Sequence, residues 1–227
     1  MRPKRILLAC ECSGRVRDSF LARGFDAMSC DIKPTEVPGP HYQGSVFDVL
    51  NNEWDMLIGH PPCTYLTYAG TRHWNKPGRD KLREDGLRFF LALYNAPIKH
   101  VAIENPVGYP NTVFRKPDQI IHPYYFGDSV QKRTCLWTRN LPRLKYEHTI
   151  VAKPEPMYIC QGEKCKGKKI YWCEGIRGEG NRATARSRTF AGIANAMADQ
   201  WGAYIMESGA TSANTASMPD TQLALDF

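Results

Sequence analysis

Three side chains set far apart in this chain could act together on one carbon atom. Cys63, in Gly59-His60-Pro61-Pro62-Cys63-Thr64, is a soft nucleophile in a loop. Forty-one residues on comes the carboxylic acid Glu104, in Glu104-Asn105-Pro106. Twenty-seven residues after that comes Gln131-Lys132-Arg133, which offers a fixed guanidinium. A thiolate adds to an electron-poor carbon and leaves again easily, which no other side chain combines as well. A carboxyl can donate or share a proton as charge builds up, and Arg can hold a carbonyl oxygen or phosphate.

The elements around these residues read as strand ends. Asp55 to Ile58 is a short apolar run ahead of Cys63, and His100 to Ile103 another ahead of Glu104. Ile6 to Cys10 reads as a first strand, Val16 to Ala22 as a helix, and Phe25 to Asp31 as a second strand. Val46 to Leu50 reads as a short strand or edge segment, Leu82 to Tyr94 as a helix, Cys135 to Trp137 as a strand and Thr189 to Trp201 as a helix. The alternation predicts a doubly wound, mostly parallel α/β sheet with a small inserted lobe. Such sheets place their chemistry beyond the carboxyl ends of the strands.

A catalytic core is expected over residues 1–142, a lobe over 143–181, a return to the core over 182–206 and a disordered Ser/Thr/Ala-rich tail over 207–227. The 227 residues, 42% hydrophobic, suit one domain with a full core and a small appendage. No apolar run reaches membrane-spanning length and no secretory signal is visible, so a cytoplasmic monomer with no membrane association is expected. The net charge of +7 favours a polyanionic partner. Eight cysteines without a framework pattern are expected to be mostly reduced, with Cys10, Cys12, Cys30 and Cys135 as core residues.

Between the first two strands lies Glu11-Cys12-Ser13-Gly14, and Asp31 ends the second strand. A strand, a Gly-containing turn, a helix and an acidic residue are a nucleotide-binding arrangement in which the acid takes ribose hydroxyls. One glycine and an acidic Glu11 disfavour a pyrophosphate cradle and leave room for a cofactor with a positive centre.

Pro62-Cys63, Glu104-Asn105-Pro106 and Gln131-Lys132-Arg133 resemble, in this order, the P-C, E-N-V and Q-x-R-x-R motifs of DNA (cytosine-5)-methyltransferases. Arg182 and Arg188 have the R-x5-R spacing seen late in such enzymes, and Gly192-Ile193-Ala194-Asn195 stands where their last cofactor motif falls. The likeness spans most of residues 5–202 and is greatest to compact phage and prophage members, some of which belong to restriction-modification. It implies a Rossmann-like fold using S-adenosyl-L-methionine (AdoMet), bound through Glu11, Ser13, Gly14, Asp31, Ile32, Ser45 and Pro62. It implies catalysis by Cys63, Glu104 and Arg133 on a cytosine flipped from double-stranded DNA, with Thr64, Gln131, Arg182 and Arg188 on the DNA. Several positions depart from the pattern. The opening turn lacks paired glycines, Ser45 stands where an Asp is frequent, Pro106 replaces Val, and Thr134-Cys135 removes the second Arg. Two alternatives stay open. One is an amino-methyltransferase acting on DNA, since Pro61-Pro62 resembles its motif, although His60 and Cys63 flank it instead of an acid or amide and an aromatic. The other is a non-catalytic DNA-binding protein that keeps the fold.

The lobe between these motifs is basic and holds Tyr171 and Trp172, which could stack or wedge against bases. Its small size predicts short or relaxed sequence specificity. Cys160, Cys165 and Cys173, with His148 as a fourth ligand, would be the zinc set, but the spacing fits no standard finger and zinc is not expected. Gln222-Leu223-Ala224-Leu225-Asp226-Phe227 resembles the short clamp-binding peptides of bacterial replication proteins, with Gln222, Leu223, Leu225 and Phe227 as anchors on a sliding clamp.

Overall fold

The computed structural model describes residues 2–146, 152–172 and 187–215. Its centre is a seven-stranded sheet of β1 (Arg5–Ala9), β2 (Asp26–Asp31), β3 (His41–Gln43), β4 (Met56–Gly59), β5 (His100–Pro106), β6 (Gln119–Ile121) and β7 (Thr134–Arg139). Their order is β3-β2-β1-β4-β5-β7-β6. Neighbours from β3 to β5 pair in parallel, and β7 runs antiparallel to both β5 and β6. The chain winds one way from β1 to β3 and the other way from β4, so the β1/β4 boundary is the switch point where such sheets open a crevice.

The strands are apolar runs because both faces are covered. Ile6, Leu8, Met56, Ile58, Ala102 and Leu136 face α1 (Arg15–Leu21) and the C-terminal helices. Leu7, Ala9, Leu57, Val101, Ile103, Cys135 and Trp137 face the other way, toward Phe90 and Leu93 of α2 (Arg79–Tyr94). A short α3 (Pro110–Val113) follows β5. The chain closes with α4 (Ala191–Ala196), a π-helical stretch (Met197–Trp201) and α5 (Gly202–Thr215). Gly192 admits no side chain, since a Cβ there would lie 2.0 Å from the Phe126 carbonyl oxygen. Its N–H donates to Asp128 at 2.9 Å.

The structure corrects four expectations. Val46–Asp48 is a 3₁₀ turn, not a strand, because the Ser45 hydroxyl accepts the Phe47 N–H and caps it. β5 runs on through Pro106, so Glu104 and Asn105 lie inside the strand, opposite Leu136 and Cys135. The strands β3 and β6 have three residues each, too few to show a period in the sequence. The closing helix continues to Thr215, past Glu207 where the tail was expected to lose order.

In the lobe, β8 (Tyr158–Ile159) and β9 (Lys169–Ile170) form a hairpin, and Cys160 is disulfide-bonded to Cys165. These two sulfurs, weighed above as members of a zinc set, sit across one tight turn and bond to each other. Among the described residues no group of three or more His, Cys, Asp or Glu could hold a metal ion. His148, Cys173, Arg182 and the peptide Gln222–Phe227 lie outside the described residues. Among the described residues no helix is long and apolar enough to cross a membrane.

Candidate active site

Cys63 follows the end of β4, and Glu104 lies near the end of the neighbouring β5. Because β7 is antiparallel to β5, the residues that precede it, Gln131 to Arg133, arrive at that same end of the sheet. Three segments distant in sequence thus meet at one edge, beside the β1 turn.

Hydrogen bonds join the first two segments. Asn105, 1% exposed, donates to the Pro61 carbonyl at 2.8 Å. Beyond Cys63 the chain folds back, with Leu66 and Thr67 N–H both donating to the Cys63 carbonyl at 3.0 and 2.9 Å. Tyr109 N–H donates to Leu66 O at 2.7 Å, and Tyr68 N–H to Val107 O at 3.3 Å. The loop carrying Cys63 is therefore sewn to the loop that follows Glu104. Cys63 is half-buried and outside any disulfide, while Pro62 and Thr64 are exposed. The other thiols at this end are poor nucleophiles: burial pushes Cys10 up to about 12 and Cys135 up to about 11.

Glu104 is 13% exposed in its side chain and lies between two nitrogens. His60 Nδ1 is 3.5 Å from Oε2, and Lys132 Nζ is 3.9 Å from Oε1. Burial raises the carboxyl, but the Lys132 ammonium and the His60 contact outweigh it and hold Glu104 below the usual carboxylate range. Arg133 is exposed at the rim, and the side-chain Oε1 of Gln131 is buried, with no hydrogen-bond partner among the described residues. His60 had no role in the sequence reading. Its signal was its place directly before Pro61-Pro62, which is uninformative until β5 brings Glu104 beside it.

The β1 turn forms the other half of the edge. His60 N–H donates to Ala9 O at 2.9 Å, so the turn starts beside the Cys63 loop. Cys10 and Gly14 both have positive φ, 59° and 74°, which reverse the chain into α1. Glu11 and Ser13 are buried. The Ser13 hydroxyl donates to Glu11 Oε1 at 2.7 Å, and Val16 N–H donates to the same oxygen at 3.4 Å. Glu11 Oε2 is buried, with no hydrogen-bond partner among the described residues. Asp31 closes β2, with one oxygen accepting the Lys33 N–H at 2.9 Å; Ile32 beside it is 78% exposed, and Ser45 serves as the cap described above.

Arg17, fully buried on α1, clasps the loop after Asp31. It donates to Ser29 Oγ (3.2 Å), Thr35 Oγ1 (3.2 Å), Val37 O (3.3 Å) and Pro38 O (3.1 Å). Arg188 Nε pairs with Glu36 of that loop at 2.7 Å, and Arg15 donates to Thr189 O at 3.1 Å. The segment after the lobe is thereby docked on the start of α1 and on the loop after β2.

No protein-family model matches this sequence, and no curated protein does.

Proposed function

We propose that this chain is an AdoMet-dependent DNA methyltransferase acting on carbon-5 of cytosine. The observation that carries this reading is the Asn105–Pro61 hydrogen bond, which holds the Cys63 loop and the Glu104 strand together beside a nucleotide-type turn. A thiol beyond β4, at the switch point, and an acid on the adjacent β5 are groups that addition to a pyrimidine ring can use. The covalent route also separates this reading from an amino-methyltransferase, for which a nucleophilic thiol has no task.

The residues at the turn suit AdoMet. Glu11 Oε2 is a buried acceptor without a donor, available to a cationic ligand, and Asp31 ends β2 where ribose hydroxyls would lie. Bound there, AdoMet would supply an electrophilic methyl group. Cys63 would attack carbon-6 of the flipped ring, forming a C–S bond and pushing electron density onto carbon-5 and ring nitrogen-3. Glu104, held as the carboxylate in the free protein, would take up a proton as the ring binds and share it with nitrogen-3 as this charge builds. Arg133 would hold the pyrimidine oxygen or the adjacent phosphate. Methyl transfer to carbon-5 would leave the cofactor as the neutral thioether; once a base or water takes the carbon-5 proton, the C–S bond would break and the Cys63 thiolate would be released.

The test is incubation with AdoMet and duplex DNA containing 5-fluorocytosine, in which fluorine blocks the final elimination. A covalent adduct that requires AdoMet and disappears in Cys63→Ala is expected. AdoMet and DNA binding without an adduct would instead favour the amino-methyltransferase, and no AdoMet binding would favour a non-catalytic protein.

A further inference from the structure

His60 is a polar side chain on the Cys63 loop that reaches back to Glu104 of β5. Its side chain is 7% exposed, and Nδ1 faces Glu104 Oε2 at 3.5 Å. A carboxylate oxygen only accepts, so the ring nitrogen facing it carries the proton. The opposite nitrogen, Nε2, is buried, with no hydrogen-bond partner among the described residues. The Nδ1–H to Glu104 is therefore the ring's hydrogen bond among the described residues. The 3.5 Å contact is at the outer limit of a hydrogen bond, as is common at catalytic groups before substrate closes on them. Lys132, at 3.9 Å from the other oxygen, supplies charge but, as a flexible ammonium, little direction.

We propose that His60 is a positioning residue that fixes the Glu104 carboxyl plane through an Nδ1–H donor. The proposal rests on the methyltransferase reading. Two attachments make the geometry rigid. The His60 backbone N–H is bonded to Ala9 O of β1, and the next residue's carbonyl, Pro61 O, holds Asn105 beside Glu104. The ring is thus anchored to β1, β4 and β5 together. A carboxyl turned out of the base plane by about 1 Å can lose about 100-fold in rate. His60 therefore acts on orientation, while Lys132 acts on charge.

The experiment measures the rate of adduct formation on 5-fluorocytosine DNA for wild type, His60→Leu and His60→Asn, each alone and combined with Glu104→Gln. An asparagine amide can occupy the place of Nδ1 and donate, but it cannot exchange a proton. His60→Leu is expected to slow adduct formation about 30- to 100-fold, with AdoMet and DNA affinities within about 3-fold of wild type. His60→Asn should recover to within about 5-fold of wild type. In the Glu104→Gln background His60→Leu should cost less than about 3-fold, because the group it orients is already altered. An unchanged His60→Leu rate overturns the proposal, as does a His60→Asn variant as slow as His60→Leu or an equal cost in both backgrounds. Wild-type protein that binds AdoMet and DNA but forms no adduct overturns the methyltransferase reading itself, and this proposal with it.

Discussion

At Glu104 two opposing effects act on one carboxyl. Burial favours the acid form, and the neighbouring Lys132 ammonium, helped by His60, tips the balance to the carboxylate. A folded-state value held low means that this group stabilises the fold above its unfolded value and loses that contribution as pH falls through the folded one. Lys132→Met should therefore raise the Glu104 carboxyl and cost about 1–3 kcal/mol at neutral pH. The deficit should shrink in acid, where Glu104 is protonated with or without Lys132. Denaturant melts of Lys132→Met and wild type at several pH values check this, and a deficit that is constant with pH would contradict it. The adduct rate should follow the same logic, with its pH profile displaced upward by the substitution. Residue types and order made Cys63, Glu104 and Arg133 legible as candidates in the sequence. The His60 and Lys132 contacts were not, because 44 and 28 residues separate them from Glu104 and no local pattern encodes a cross-strand distance.

Among the elements, the first βαβ unit was readable because each part has a local cause. β1 and β2 are apolar runs, Gly14 adopts the positive φ that starts α1, and Asp31 stops β2. What α1 does after it forms was not readable. An Arg inside an amphipathic helix reads as a surface residue, yet Arg17 is fully buried and ties four acceptors on β2 and the loop after it. Val37 and the Arg17 guanidinium fill the space beside Gly14, where a Cβ would lie 2.5 Å from each. Arg17→Met keeps much of the side-chain length but leaves two carbonyls and two hydroxyls without that donor, and it should cost about 3 kcal/mol. Hydrogen exchange should accelerate in residues 32–40, and AdoMet should bind more weakly through the shifted Asp31. Unchanged exchange in that loop would show that Arg17 does not hold it.

For the whole molecule, the C-terminal helices complete one face of the sheet. Trp201 is fully buried and donates its indole N–H to Pro142 O at 2.9 Å, and Arg23 of the α1 end forms a two-pronged ion pair with Asp199. The last helical segment and the first helix therefore share one core. Trp201→Ala should destabilise the protein by about 3–5 kcal/mol and lower Tm by about 10 °C. A calorimetric scan would measure this, and a second transition for the C-terminal helices alone would contradict a common core.

Periodicity and residue order in the sequence determined the α/β class, the positions of the long strands and helices, and the candidate nucleophile and acid. Those features depend on neighbours within a few residues, which a linear pattern records. The tertiary structure decided the reversal of strand order at β1/β4, the antiparallel return of β7 that brings Lys132 to Glu104, and the seating of the 187–190 segment on the start of α1 and the loop after β2. These depend on which distant surfaces bury one another, and that is fixed only when the two faces of the sheet are covered together.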